Sequence, residues 1–246
     1  MMKEKNILIV GGSSGIGKAL AEILSISNNV FVACRTAESL TSMNVTHIPF
    51  DATKDDLDIS ALPEQLHGFV YCPGSINLRP FKGLSDEAFE SDFQLNVMGA
   101  VKTLKSILGN LTNSGVSSVV FFSTVAVQTG MPFHSSVAAS KGAIEGLTRS
   151  LAAEFAPKIR VNAIAPSLVD TPLASKFLNN ETKLEKANER HPLGRVGNAN
   201  EIAQAAAYLL SEASSWMTGK VMQLDGGIGN LKTKKFGKTH LVLVPT

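Results

Sequence analysis

The stretch Ile7-Leu8-Ile9-Val10-Gly11-Gly12-Ser13-Ser14-Gly15-Ile16-Gly17 decides the reading of this chain. Four apolar residues make a short strand, glycines interrupt it, and Ile16, Leu20, Ile23 and Leu24 follow at helical spacing. Strand, glycine turn and helix in that order make a dinucleotide site. The helix start offers unpaired backbone N–H groups and a positive dipole end, both suited to a pyrophosphate. In this reading Gly12 lets the chain turn, Gly15 lets backbone approach phosphate, and Gly17 lets helix pack close to strand. The other reading of the triplet is an ordinary glycine-rich turn.

The spacing is Gly-x-x-x-Gly-x-Gly, and here the sequence resembles the short-chain dehydrogenase/reductase family, which usually has threonine where this chain has Gly11. The resemblance runs over about residues 5–227 and implies that Gly11, Gly12, Ser14, Gly15, Ile16 and Gly17 contact the cofactor.

The 246 residues, 44% hydrophobic and 18% charged, fit one domain with a sizeable core. No apolar run reaches membrane-spanning length, and Met1-Met2-Lys3-Glu4-Lys5 leads into a strand rather than a signal peptide. The expectation is a soluble cytoplasmic protein with no membrane partner. Cys34 and Cys72 read as buried thiols at strand ends, and no metal site is expected. Four lysines, Lys232, Lys234, Lys235 and Lys238, sit in an acid-free tail at 228–246, so the net charge of +2 becomes −2 for the body. A mildly acidic body gives no reason to expect nucleic acid.

Strands are expected near 6–10, 30–34, 46–50, 68–72, 118–123, 160–164 and 221–224. Helices are expected near 15–26, 60–66, 85–110, 135–156 and 200–211, with Asn198 and Glu201 forming a capping box at the start of the last. This alternation predicts an α/β fold, a single doubly wound Rossmann domain with a seven-stranded parallel sheet and helices on both faces.

The second strand ends Ala33-Cys34-Arg35. NAD sites of this type place an acid at that end for the ribose hydroxyl. Here a cysteine and an arginine stand instead, and a guanidinium can grip a 2′-phosphate, which favours NADP over NAD. A solvated surface arginine is the other reading. By resemblance Asp51, followed by Ala52, bonds the adenine amino group, although an aspartate opening a turn would look the same. Tyr71-Cys72-Pro73-Gly74 resembles the family's Asn-Asn-Ala-Gly with only Gly74 kept, so bracing of the sheet must come from elsewhere.

Asn96 matches a family asparagine whose helix kink holds a water in the proton relay; an exposed polar position is the alternative. Thr124 lies 13 residues before position 137, where the resemblance places the hydroxyl that polarises a carbonyl; a strand-end hydroxyl bonded to backbone is the other reading. The family motif Tyr-x-x-x-Lys reads Val137-Ala138-Ala139-Ser140-Lys141 here. Residues i and i+4 share a helix face, which lets the family lysine lower the tyrosine's pKa. Lys141 is present and would hold the cofactor ribose, but valine has no proton to give. Substitute acids are His134, Ser136 or a relayed water. His134 precedes position 137 by one helical turn, and an ordinary imidazole pKa of about 6.5 suits acid–base work.

Ala165-Pro166-Ser167-Leu168-Val169-Asp170-Thr171-Pro172 resembles the family's Pro-Gly-x-Val-x-Thr, with Ser167 in place of glycine. The resemblance gives Pro166, Val169 and Thr171 to the nicotinamide. Residues 173–197 are mixed and polar, as suits a substrate lid, and Arg190 and His191 within them read as surface residues. Trp216–Val221 and Leu224-Asp225-Gly226-Gly227 again match the family. Leu241-Val242-Leu243-Val244-Pro245 does not.

Two functions stay open. One is NADP-dependent hydride transfer to or from a small carbonyl or alcohol. The other is a non-catalytic NADP(H)-binding sensor or scaffold. Assembly as a homodimer or homotetramer, through the 85–110 and 135–156 helices, is carried over from the family.

Overall fold

The computed structural model describes residues 3–232; the apolar 241–245 segment lies outside them. Seven parallel strands form one sheet: β1 Asn6–Val10, β2 Asn29–Cys34, β3 Val45–Pro49, β4 Gly68–Tyr71, β5 Ser117–Phe122, β6 Ile159–Pro166 and β9 Val221–Leu224. Their order is β3-β2-β1-β4-β5-β6-β9. A two-residue pair, β7 Val169–Asp170 and β8 Gly197–Asn198, stands apart from it.

The strands are apolar on both faces because both faces are covered. Ile7 and Ile9 point to one layer and Leu8 and Val10 to the other, as the two-residue period of a strand requires. The first layer packs on Leu20, Ala21 and Leu24 of α1 (Gly15–Leu24) and on Ala203, Ala206 and Leu209 of α8 (Ala199–Leu210). The second packs on Leu104, Ile107 and Leu111 of α3 (Gly99–Asn113) and on Ile144 and Ala152 of α5 (Ser135–Phe155). The capping box at Asn198 and Glu201 opens α8, with both bonds at 2.9 Å.

Two helices depart from their expected form. The 60–66 helix is a single 3-10 turn, Ile59–Ala61, and Leu62 is already extended; Pro63 disfavours helical backbone in the residue before it and lacks an N–H to continue. The 85–110 helix is broken into α2 (Asp86–Phe93) and α3 by a π turn at Gln94–Met98. Between β7 and β8 lie α6 (Ser175–Leu178) and α7 (Glu181–Glu189), so the 173–197 segment is largely helical. Among the described residues no helix is long and apolar enough to cross a membrane.

The strand order runs outward in one direction from β1 and in the other from β4, so the carboxyl ends of these two strands flank the switch point. In open α/β sheets ligands bind there. A cleft of about 1250 Å³ occupies that edge.

Candidate active site

The glycine turn forms one wall of the cleft. Gly11 turns the chain, with φ +78, and its N–H donates to Ala33 O at 2.9 Å. This corrects the sequence reading, which gave the turn to Gly12. A Cβ on Gly12 would lie 2.6 Å from Val32 Cγ1, so that glycine allows close packing and does not line the cleft. Gly17 behaves as expected, since its Cβ would fall 2.3 Å from Gly11 O. Ser13, Ser14, Gly15 and Ile16 face the cleft, and Ser14 makes no side-chain cap on α1. The helix start is therefore open to an anion. Gly15 has φ +52 and rests against Thr171, with 3.3 Å from its built Cβ to Thr171 Cβ.

Arg35 lies exposed at the end of β2 on the cleft and pairs with no carboxylate among the described residues. Beside it the Cys34 thiol donates to Thr36 O, and burial pushes its pKa up. Asp51 and Ala52 line the same end. One Asp51 oxygen accepts from the Thr53 hydroxyl at 2.7 Å and its N–H at 3.0 Å, and these bonds hold the carboxyl below its usual range. The turn-forming role is thus realised, while the second oxygen, 4.0 Å from Lys54 Nζ, makes no hydrogen bond with a described residue.

At the other end stand Cys72, Gly74, Thr124, His134, Val137 and Lys141. Lys141 is buried, and burial lowers its pKa to about 8, although Cys72 and Asp92 act the other way. A Cβ on Gly74 would lie 3.3 Å from Lys141 Nζ and 3.4 Å from Asn96 Oδ1. Asn96 is fully buried on the π turn rather than exposed; its amide donates to Ser75 Oγ at 3.1 Å and Ser140 Oγ at 3.0 Å. Its Oδ1 has no partner among the described residues, an acceptor aimed beside the lysine amine. Thr124 Oγ1 accepts from Ala126 N–H at 3.3 Å, which leaves its hydrogen available to the cleft. Ser123, its neighbour, instead donates to the buried carboxylate of Glu145 at 2.8 Å.

Val137 is 5% exposed and forms part of the cleft wall. Of the two side chains considered as substitute acids, only His134 reaches the cleft. Its Nδ1 donates to Pro132 O at 2.8 Å, so Nε2 remains open. Ser136 lines a separate depression beside α2.

Pro166, Val169 and Thr171 border the cleft below α6 and α7. His191, read from sequence as a surface residue, is buried: Nδ1 donates to Ala187 O at 2.7 Å and Nε2 accepts from the Ser167 hydroxyl at 2.9 Å. Ser167 thus anchors the segment carrying α7. Arg190 is exposed as expected, but on the cleft. Sequence reasoning also missed Asp92, a buried carboxylate that accepts from Ser75 Oγ and from Asn77 Nδ2 at 2.7 Å. Its signal was faint: a charged residue one helical turn before Asn96.

The residues suit a dinucleotide. The glycine turn leaves no room for side chains, the helix start is uncapped, and the Lys141 amine and an Asn96 oxygen without a partner among the described residues both lie beside Gly74. A family model described as enoyl-(acyl carrier protein) reductase matches residues 11–229. The chain is 34% identical over 241 residues to 2,5-dichloro-2,5-cyclohexadiene-1,4-diol dehydrogenase of Sphingobium indicum, covering 91% of this chain and 96% of the relative. It is 30% identical over 234 residues to L-xylulose reductase of Bos taurus, with the same coverages. A short-chain type dehydrogenase/reductase from Mycobacterium ulcerans superposes with a TM-score of 0.85 at 28% identity, covering 93% of this chain and 90% of that one. With the parallel sheet, the glycine turn and these matches in agreement, the chain belongs to the short-chain dehydrogenase/reductase family of oxidoreductases.

Proposed function

We propose that this protein is an NADP(H)-dependent oxidoreductase that moves a hydride between the nicotinamide and a small carbonyl or alcohol. The observation that carries this reading is the convergence of the glycine turn, Thr124 and Lys141 on one cleft, with Asn96 buried just behind Gly74 of its wall. Gly11, Ser14, Gly15, Ile16 and Gly17 would hold the pyrophosphate, with Gly12 supporting their turn, and Asp51 and Ala52 the adenine. Arg35 would hold a 2′-phosphate, Gly74 would flank the cofactor, and Pro166, Val169 and Thr171 would hold the carboxamide. The bound nicotinamide supplies or accepts hydride. Lys141, protonated below about pH 8, would bond the ribose hydroxyls. Thr124 would donate its hydrogen to the carbonyl oxygen. In reduction that oxygen also takes a proton, which His134 Nε2 or a water would deliver, because Val137 stands where the family carries tyrosine. Asn96, with its unpartnered oxygen, would hold such a water beside Lys141.

Val137 also supports a second reading, a protein that binds NADP(H) as a sensor or scaffold and does no chemistry. Assembly into a homodimer or homotetramer, supported by the half-exposed Phe93 on α2, fits either. NADPH binding followed by fluorescence, then NADPH oxidation across a panel of carbonyls, separates them. Binding with turnover supports the oxidoreductase, binding without turnover the sensor, and no binding overturns both.

A further inference from the structure

Among the described residues, the cleft is lined by seven cationic side chains and one carboxylate, Asp51. Two of the cations, Arg35 and Lys141, belong to the nucleotide in the reading above. The other five, Arg79, Lys176, Lys183, Lys186 and Arg190, come from the loop after β4, from α6, and from α7 with its C-terminal cap.

Their gathering follows from the pattern of α7. Lys183, Lys186, Ala187 and Arg190 stand at i, i+3, i+4 and i+7 and line the cleft, whereas Glu181, Glu185 and Glu189 of the same helix do not. The helix thus sorts its charges by face. No carboxylate among the described residues forms an ion pair with any of the five. Lys176 Nζ donates to Ile76 O at 2.9 Å, and Lys183 Nζ to Lys176 O at 3.0 Å and Asn179 Oδ1 at 2.9 Å. These acceptors are neutral, and the Phe177 ring, 5.0 Å from Lys176 Nζ, offers only its π face, so none of them brings a countercharge. Like charges held together repel, and an entering anion removes that cost. Ile76, Leu78, Met131, Leu173 and Phe177 supply apolar wall to the same cleft.

We infer that the substrate is an organic anion: an apolar skeleton bearing the reacting carbonyl or alcohol, with a carboxylate or phosphate held by Arg79, Arg190 and the α6–α7 lysines. Guanidinium groups grip the two oxygens of either anion in a fork, and lysines add charge. The inference rests on the oxidoreductase reading for the reaction, but the anion site itself does not depend on turnover.

The test uses the full chain loaded with NADPH and two matched pairs: 4-oxopentanoate against its methyl ester, and dihydroxyacetone phosphate against dihydroxyacetone. Turnover is measured as kcat/KM, and binding separately by calorimetry. One anion should be favoured over its neutral partner by about tenfold or more at low salt, and the preference should shrink as ionic strength rises. Whichever pair shows it identifies carboxylate or phosphate. The exposed Lys186→Ala/Arg190→Ala double variant should bring the ratio toward one, with its fold checked by circular dichroism and its NADPH affinity intact. Lys186→Glu should do the same by reversal. Salt-dependent anion binding without turnover sinks the oxidoreductase reading and sustains this one. Turnover that treats neutral and anionic partners alike does the reverse. The inference is also overturned if neither anion binds in a salt-dependent way, if the variants lose NADPH affinity instead, or if preference appears only for acyl groups carried on an acidic protein.

Discussion

The Tyr71 hydroxyl occupies the place a side chain on Gly99 would take: a Cβ built on Gly99 falls 2.1 Å from Tyr71 Oη. Tyr71 ends β4, is buried, and donates to Leu95 O at 2.7 Å within the π turn. It therefore ties the sheet to the segment that carries Asn96, a bracing role in a stretch where the family's asparagines are missing. Gly99→Ala should destabilise the fold by about 1–3 kcal/mol through overpacking, less a few tenths returned by helix propensity. Tyr71→Phe should cost about 1 kcal/mol. The double variant should cost less than the sum, because Tyr71→Phe removes the hydroxyl with which the methyl of Gly99→Ala collides. Urea midpoints for the four proteins measure the coupling, and simple additivity would refute the steric account.

Lys141 gives the cofactor-free protein a pH signature. Burial lowers its folded pKa to about 8, against about 10.4 in an unfolded chain. Between these values the unfolded state binds more protons, so the contribution of Lys141 to stability rises with pH from about 8 to about 10. Cys72, pushed up to about 12 by burial, and Tyr71, also raised by burial, act oppositely above their ordinary pKa values, losing stability as pH rises. The difference between wild type and Lys141→Met isolates the lysine. That difference, followed by denaturant unfolding, should grow in favour of wild type across the window; a flat difference would show that the amine is not desolvated.

The turn should tolerate no side chain at Gly17. The nearest obstacle is the backbone oxygen of Gly11 at 2.3 Å, which cannot swing aside as a side chain can. Gly17→Ala should lose about 1–3 kcal/mol of stability and most NADPH affinity, because the turn must open. Affinity unchanged in the folded variant, measured by calorimetry, would separate the turn from the pyrophosphate.

The seven strands of the main sheet were legible to within two residues at each end, because a parallel sheet buried on both faces leaves unbroken apolar runs, whereas the two-residue β7 and β8 were not. What sequence could not give was distributed across it. The φ of Gly11 and the closeness of Gly12 to Val32 are three-dimensional facts, so the turn expected at Gly12 falls to Gly11. The Asp92–Ser75–Asn77 knot joins residues 15 or more apart, and no local spacing announces it. His191 looked like a surface residue because its partner, Ser167, is 24 positions away. Pro63, by contrast, is legible in the sequence, and it is what keeps the 60–66 segment to the single turn Ile59–Ala61.

Arg35 should set cofactor choice. A charged hydrogen bond is worth roughly 1.5–3 kcal/mol, and the exposure of Arg35 favours the lower end. NADPH should therefore bind about tenfold more tightly than NADH, and Arg35→Ala should remove most of that gap while leaving NADH affinity nearly unchanged. Equal affinities in the wild type would sink the assignment.

Position 137 is the sharpest test. Val137 and Lys141 lie one turn apart on α5, both on the cleft, and the Val137 carbonyl already accepts from Ser140 at 3.0 Å, so the backbone is fixed. A general acid contributes about 10²–10⁴-fold. Val137→Tyr places a phenol beside an ammonium whose charge favours phenolate formation, near the Thr124 hydroxyl. If only the acid is missing, carbonyl reduction with NADPH should rise by about 10²-fold or more. If the cleft has been rebuilt around valine, the ring will displace substrate or cofactor, and any native turnover will fall. A folded, NADPH-binding Val137→Tyr protein inactive on every carbonyl, anionic ones included, would rule out the simple loss of an acid. His134→Ala then decides whether wild type uses a replacement. Native turnover should fall, because Nδ1 of His134 is held by Pro132 O and its open Nε2 is the group the substitution removes. Turnover unchanged in His134→Ala would leave the proton to water held by Asn96.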